Sequence, residues 1–294
     1  MAGWSLVNEC YAACATLARS QYENFPVASR LLLPAMRPHV AALYAFARIA
    51  DDIADEGTAP PEDRRARLSA WQRRLHCALA IDRPDQTPHD DEDLIIIATA
   101  HTVRTMGLPV ALFDDLISAF GQDTMTTRYA SWTEVFDYCR RSANPIGRLV
   151  LRIAGYRDDR LDQSSDSLCT ALQLTNFWQD FGRDWRAGRL YVPRDVQDAA
   201  GATERELANG RPGDAWAAAL SRCVAVTADQ FALGRSVCDG VRGRLRYELR
   251  CTWLGGRRIL AKVDAARTCL LDDRPTLSAR DVAAILWQAA RWRR

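Results

Sequence analysis

The chain has 294 residues, of which 48% are hydrophobic and 26% charged, enough to bury a large core in an ordinary globular protein. Its 39 basic and 37 acidic residues leave a net charge of +2, with no basic stripe interleaved with stacking aromatics, so nucleic acid is excluded as a partner. Nine cysteines at scattered spacings, no C-x-x-C pair and four dispersed histidines speak against disulfides and zinc and for buried thiols in a reducing cytoplasm.

In chain order, residues 1–20 carry Glu9 inside an Ala-rich helical pattern and no basic residue before Arg19, which does not read as a signal peptide. Apolar residues at three- and four-residue spacings predict helices over 40–56, 64–80, 92–106, 132–154, 163–185, 214–237 and 245–271. Gly57–Pro61, Pro84–Pro88 and Gly107-Leu108-Pro109 punctuate them. Residues 189–192, stopped by Pro193, are the one extended candidate. With no repeat, linker or composition shift, residues 1–294 read as a single all-α domain. No run of eighteen apolar residues occurs, so no membrane span is expected. The Trp- and Arg-rich end, 282–294, leaves peripheral contact with anionic lipid open beside plain packing on the bundle.

The chemistry concentrates in two carboxylate pairs. Tyr44, Arg48, Asp51 and Asp55 fall at offsets 0, 4, 7 and 11, within roughly 60° of one another on a helix. Gln173, Asn176, Asp180 and Asp184 form a second stripe, roughly 100° wide. Each pair sets like charges one turn apart, which repel by a few tenths of a kcal/mol on a bare helix and ask for a compensating cation. One such pair is ordinarily a solvated face; two, each with amides or a cation alongside, are not. Hard oxygen ligands without His or Cys select Mg²⁺, with Mn²⁺ as a substitute, and Mg²⁺ bridges carboxylates to substrate phosphate. Carboxylate helices facing each other across a bundle would hold a diphosphate through such ions, with Arg48 and Arg189 as further contacts.

At these residues the chain resembles the squalene/phytoene synthase family. The resemblance rests on Arg48 with Asp51-x-x-x-Asp55, then Tyr138-Cys139, Gly147, Gln173-x-x-Asn176-x-x-x-Asp180-x-x-x-Asp184 and Arg189-x-Tyr191. It implies the class I isoprenoid (terpenoid) synthase helical bundle with a central apolar cavity and chemistry on prenyl diphosphates. By it, Asp51, Asp55, Asn176, Asp180 and Asp184 hold the metal, and Tyr44, Arg48, Tyr138, Gln173 and Arg189 meet the substrate. Tyr44, Phe25, Tyr138, Phe177 and Trp178 are candidates to shield a cation with their π faces, core packing being the alternative for each.

Departures from the family pattern carry information. Where condensing members have a Ser-Lys-Ser-Phe segment, this chain has Tyr22-Glu23-Asn24-Phe25, an acidic residue in place of the lysine. Gln179 stands for the common arginine before Asp180, and Arg183 for an acidic residue after Gly182. The stretches Glu23-Asn24-Phe25-Pro26-Val27-Ala28-Ser29, Cys139-Arg140-Arg141-Ser142-Ala143-Asn144-Pro145-Ile146-Gly147 and Asn176-Phe177-Trp178-Gln179-Asp180 together look like the hydroxysqualene synthase branch, which takes presqualene diphosphate from a sister synthase to hydroxysqualene for hopanoid synthesis. Only one diphosphate then leaves, and the final cation meets water. No Gly-x-Gly-x-x-Gly follows a strand, so no nicotinamide cofactor is expected. Pro145, read as lying inside a helix, would free the carbonyl of Arg141, which with Asn144 would hold the capturing water, a plain packing kink being the alternative. Two other functions stay open. A condensing prenyltransferase using two prenyl diphosphates is disfavoured by the missing lysine, and an inactive assembly or scaffold protein by the four aspartates.

Overall fold

The structure is a computed structural model that describes residues 2–20, 32–55, 57–81, 88–210 and 212–292. Helices α1 (Ala2–Ser20), α2 (Arg37–Asp55), α3 (Pro61–Ala80), α4 (Asp91–Met106) and α5 (Ala111–Asp123) come first. Next are α6 (Trp132–Ser142), α7 (Asn144–Ile153), α8 (Asp159–Gln179) and α9 (Phe181–Arg186), followed by the short α10 (Arg194–Ala200) and α11 (Glu204–Ala208). The chain closes with α12 (Asp214–Gly234), α13 (Val237–Gly240), α14 (Gly243–Ala266) and α15 (Ala279–Ala290). The described residues are all-α, as the periodicity predicts; the extended candidate makes a single parallel bridge, Arg128 to Leu190. Two compact units divide the chain, Met1–Met125 with Pro145–Arg157 and Thr126–Asn144 with Asp158–Arg294. Neither is a contiguous stretch. The Tyr22–Phe25 departure lies outside the described residues.

Two predicted helices are each broken in two. The 132–154 segment stops at Ser142 and restarts at Asn144, so Pro145 stands in the first turn of α7. The expectation of a proline inside a helix is thereby corrected: a first turn has no intrahelical acceptor for the missing N–H, and there proline costs little. The 163–185 segment breaks at Asp180, whose φ of −95° and ψ of 12° leave the helical range. Its hydrogen bonding nevertheless runs through, Asp180 N donating to Asn176 O at 2.8 Å and Asp184 N to Asp180 O at 2.9 Å. The 173–184 stripe therefore survives the break.

In the first unit, α2 packs against α1, α3, α4 and α5. Phe46 of α2 stacks on Trp71 at 5.4 Å and meets Phe113 edge-on at 5.3 Å. All three are buried, which fixes the rotation of α2 and turns Arg48 and Asp51 away from this core. The seam of α1 with α2 and α4 is polar. The Tyr11 hydroxyl lies 3.0 Å from His39 Nδ1, 2.8 Å from His101 Nδ1 and 2.9 Å from Thr102 Oγ1. A hydroxyl has one proton to donate, so it donates to one of these three partners and can only accept from the others.

In the second unit, α8 and α12 form the main contact, with α14 against both. The two backbones come close because Gly234 has no side chain: a Cβ there would lie 2.6 Å from Leu168 N. Trp178 is fully buried and donates its indole N–H to Thr227 Oγ1 at 2.8 Å. The segment after α14 folds back onto the α8–α9 junction. At Gly182 a Cβ would fall 2.0 Å from Leu271 O, so only glycine admits that backbone. Gln179 Nε2 donates to Pro275 O at 2.6 Å and Arg186 Nη2 to Leu271 O at 2.6 Å, clamping the segment from both sides.

Two outcomes follow from this packing. Burial pushes His39 and His101 below the ordinary imidazole value of 6.5, assisted at His39 by His101 and at His101 by Arg104. The unfolded chain then takes up protons first as pH falls, so this contribution is complete above about pH 6.5 and is lost below it. Tm should fall from about pH 7 to about pH 5, and the fall should be shallower in His39→Gln; equal slopes would exclude the seam. Gly182→Ala should cost about 2–3 kcal/mol in urea unfolding, because backbone rather than a flexible side chain must move. A loss below about 0.5 kcal/mol would show that the 270–275 segment yields freely.

Candidate active site

Each carboxylate cluster belongs to one unit. In the first, the carboxylates stand at the C-terminal end of α2, where the helix dipole offers them nothing, and a cation must hold them. Arg48 does so: its Nη1 is 3.3 Å from Asp51 Oδ2 and its Nη2 2.5 Å from Asp52 Oδ1. One guanidinium thus joins carboxylates three and four residues further on, on the same turn. Tyr44 is half-buried one turn before Arg48, and Asp55 is exposed one turn after Asp51. Tyr44, Arg48, Asp51 and Asp55 all lie on α2, none of them in its buried face. Asp52 was not among the expected site residues, although its position four residues after Arg48 is a signal present in the sequence.

In the second unit, Gln173, Asn176, Asp180 and Asp184 are all half-buried, while Leu174, Thr175, Phe177, Trp178 and Gln179 between them are buried. The polar stripe is therefore the accessible edge of α8 and α9. Asp180 is gripped by Arg274 from the folded-back segment. Its Nη2 lies 3.1 Å from Oδ2 and its Nε bonds Oδ1 as well, a two-point fork. The carboxylate of Asp180, followed by that of Asp184, raises the arginine above its ordinary value. Arg183 approaches Asp180 Oδ1 at 3.5 Å from an exposed position. Arg274 was missed at the sequence level because it lies 94 residues from Asp180 and follows two aspartates in a loop without periodicity. The departure at Gln179 gains a structural role here, since Gln179, together with Gly182, seats the segment that carries Arg274. Arg189 is half-buried, with its backbone N–H on Asp184 O at 2.7 Å, so it begins where the stripe ends.

Tyr138 belongs to a buried aromatic cluster. Phe177 and Tyr191 stack face to face at 3.7 Å, Tyr191 stacks on Tyr129 at 5.6 Å, and Tyr138 stands against all three at 5.9–6.2 Å. Tyr129 is the member that sequence reasoning missed. Cys139 beside it is fully buried, and burial pushes its thiol far up, which makes it a packing residue and not a nucleophile. Asn144 heads α7 with its side chain turned to α8, where Oδ1 accepts from Thr170 Oγ1 at 3.0 Å.

Among the described residues no group of three or more His, Cys, Asp or Glu side chains could hold a metal ion unaided. This donor set fits Mg²⁺ shared with a phosphate, since that ion takes one or two carboxylates and completes its octahedron with water and substrate oxygens. It does not fit a closed zinc or calcium cage.

With this geometry established, comparison with known proteins gives a consistent result. The squalene/phytoene synthase family model matches residues 18–281. Hydroxysqualene synthase of Rhodopseudomonas palustris is 34% identical over 221 residues, 75% of this chain and 72% of that protein. That of Zymomonas mobilis is 40% identical over 191 residues, 64% of this chain, and the match spans 60% of the length of the Zymomonas protein. Phytoene synthase of Mycobacterium tuberculosis is 30% identical over 95% of this chain and 90% of its own. Among solved structures, squalene synthase HpnC from Alicyclobacillus acidocaldarius superposes with a TM-score of 0.80 at 36% identity, over 89% of this chain and 95% of that one. A dehydrosqualene synthase superposes at 0.84 with 19% identity, over 99% of this chain and 98% of that one, which bears on the fold alone. The chain belongs to the squalene/phytoene synthase family.

Proposed function

We propose that the chain is a hydroxysqualene synthase that ionises presqualene diphosphate with Mg²⁺ and captures the rearranged cation with water, releasing hydroxysqualene and diphosphate. The observation that carries this reading is that each carboxylate cluster already holds one arginine, Arg48 in one and Arg274 in the other, which offsets part of its charge. The relatives named hydroxysqualene synthase, at 34–40% identity, support the choice of branch.

When bound, Mg²⁺ would supply electrostatic stabilisation of the leaving diphosphate, held by Asp51, Asp55, Asn176, Asp180 and Asp184. Arg48, Arg189 and Arg274 then meet the diphosphate oxygens, and Gln173 and Tyr44 orient it. As the C–O bond breaks, the electron pair leaves with the diphosphate and the positive charge passes to carbon. Tyr138, with Phe177 and Tyr191 packed behind it, presents π density to that charge. Water adds to the rearranged cation and gives its proton to solvent or diphosphate. Asn144, whose Oδ1 is taken by Thr170, offers its amide N–H groups to that water. No reductant enters. The substrate is supplied by a presqualene diphosphate synthase.

A condensing activity is the second reading, favoured by the phytoene synthase match over 95% of the chain. A product assay by gas chromatography–mass spectrometry separates the two. With Mg²⁺ and no reductant, presqualene diphosphate should yield hydroxysqualene while farnesyl diphosphate alone yields nothing. Formation of a cyclopropyl C30 diphosphate from farnesyl diphosphate would make the chain a condensing synthase, and no turnover of either would favour assembly without catalysis. In the same assay, Asn144→Ala should divert product to deprotonated hydrocarbons; unchanged hydroxysqualene at normal rate removes Asn144 from the mechanism. Arg274→Gln should lower kcat/KM about tenfold or more, by loss of a charged hydrogen bond. With Asp180 released, the same variant should bind Mg²⁺ more tightly in calorimetry without substrate. Weaker Mg²⁺ binding would mean that Arg274 only shapes the site.

A further inference from the structure

Helix α15 buries very little of itself. Asp281, Ile285 and Ala289, at every fourth residue, are its buried positions and pack on α14. The outward face is apolar, with Val282 45%, Leu286 44% and Trp287 57% exposed, and Ala283 and Ala290 beside them. A surface helix normally turns polar residues outward, so this face is built for something other than water. Its one buried charge is satisfied within the unit, Asp281 bonding Arg258 Nε and Lys262 Nζ at 2.6 Å each.

Beside this face runs a groove of about 490 Å³ between α14 and α15, floored by Trp253 and Leu254 and walled by Trp287 and Trp292. Arginines sit over its indoles: the Arg257 guanidinium is 4.6 Å from the ring centre of Trp253, that of Arg291 4.6 Å from Trp287, and that of Arg235 5.1 Å from Trp292. Each stack keeps an arginine at the rim of an apolar surface, partly offsetting the cost of its desolvation. The charge pattern agrees. Residues 235–294 hold 14 basic and 6 acidic side chains, a net +8, whereas residues 1–234 hold 25 and 31, a net −6. A chain that is nearly neutral as a whole is thus strongly polarised, and the positive end carries the exposed apolar helix.

From this juxtaposition we infer that the α14–α15 face is a docking surface for an anionic phospholipid bilayer. Leu286, Trp287 and Val282 enter the interface between headgroups and acyl chains, and Arg257, Arg291 and Arg235 meet lipid phosphates. Tryptophan and arginine favour that boundary because each has an apolar body and a polar group that must stay wet. A second copy of the chain is the poorer occupant: a two-fold contact on this face would bring the arginine rims against each other. No helix among the described residues is long and apolar enough to cross a membrane, so the contact is interfacial. The surface is independent of which prenyl diphosphate the chain takes.

The test is co-sedimentation of the full chain with phosphatidylcholine vesicles, with and without about 30% phosphatidylglycerol. Anionic vesicles should bind at least about tenfold more tightly than neutral ones, and about 0.5 M NaCl should remove most of the difference. The double variant Leu286→Ser/Trp287→Ser should bind about tenfold more weakly. Arg257→Gln and Arg291→Gln should each weaken binding about fivefold. All should keep wild-type circular dichroism and turnover of detergent-dispersed substrate, because the altered side chains are exposed and remote in sequence from the carboxylate clusters. The inference is overturned if the folded wild-type chain ignores anionic vesicles, or if its binding is unchanged in both the serine and the glutamine variants. A concentration-dependent dimer that the serine variant abolishes, without vesicle binding, overturns it as well and assigns the face to a second copy.

Discussion

Carboxylates of like charge on one helix face repel, and every structural choice around the two aspartate clusters answers that repulsion. In α2 the answer is local: Arg48 sits one turn before Asp51 and Asp52 and forms an ion pair with each. On α8 and α9 the local neighbour is the exposed Arg183, one contact to Asp180 Oδ1 at 3.5 Å, while Gln179 stands before Asp180 and adds no charge. The compensating charge is brought from the far end of the chain, as Arg274. An arginine fork is the ion pair best suited to this, because its two N–H groups match the two oxygens of a carboxylate.

Bringing Arg274 to Asp180 constrains residues that touch no substrate. Gly182 must lack a side chain so that Leu271 can pass, and Gln179 must be buried and neutral to bond Pro275. A guanidinium at position 179 would be an unpaired charge in a site only 4% exposed. The substitution is therefore tied to the path of the loop, beyond its value as a mark of the branch. The break in the helix at Asp180 belongs to the same device, because it lets the carboxylate leave the straight helical track while the backbone hydrogen bonds on either side persist.

The aromatic rings show the same division between helix pattern and long-range assembly. Tyr138 and Phe177 come from α6 and α8, which pack together, while Tyr129 and Tyr191 arrive on the two segments joined by the Arg128–Leu190 bridge. One short parallel pairing in an otherwise helical unit thus completes a four-ring cluster. Its rings are locked by mutual stacking, so their orientations are fixed.

Much was legible before any coordinates. The helical class, the stripe of Tyr44, Arg48, Asp51 and Asp55, and the stripe of Gln173, Asn176, Asp180 and Asp184 all follow from a period of about 3.6 residues, which short-range geometry imposes on any helix. The breaks at Ala143 and Asp180 were not legible, since apolar periodicity runs straight through both. Asp52 could have been found from its spacing to Arg48. Arg274, Tyr129 and the groove of α14 and α15 could not, because each depends on segments tens of residues apart meeting in space. Local spacing determined which residues share a helix face; only the tertiary structure decided which distant charge neutralises Asp180, because that pairing is set by how a loop packs and leaves no period in the sequence.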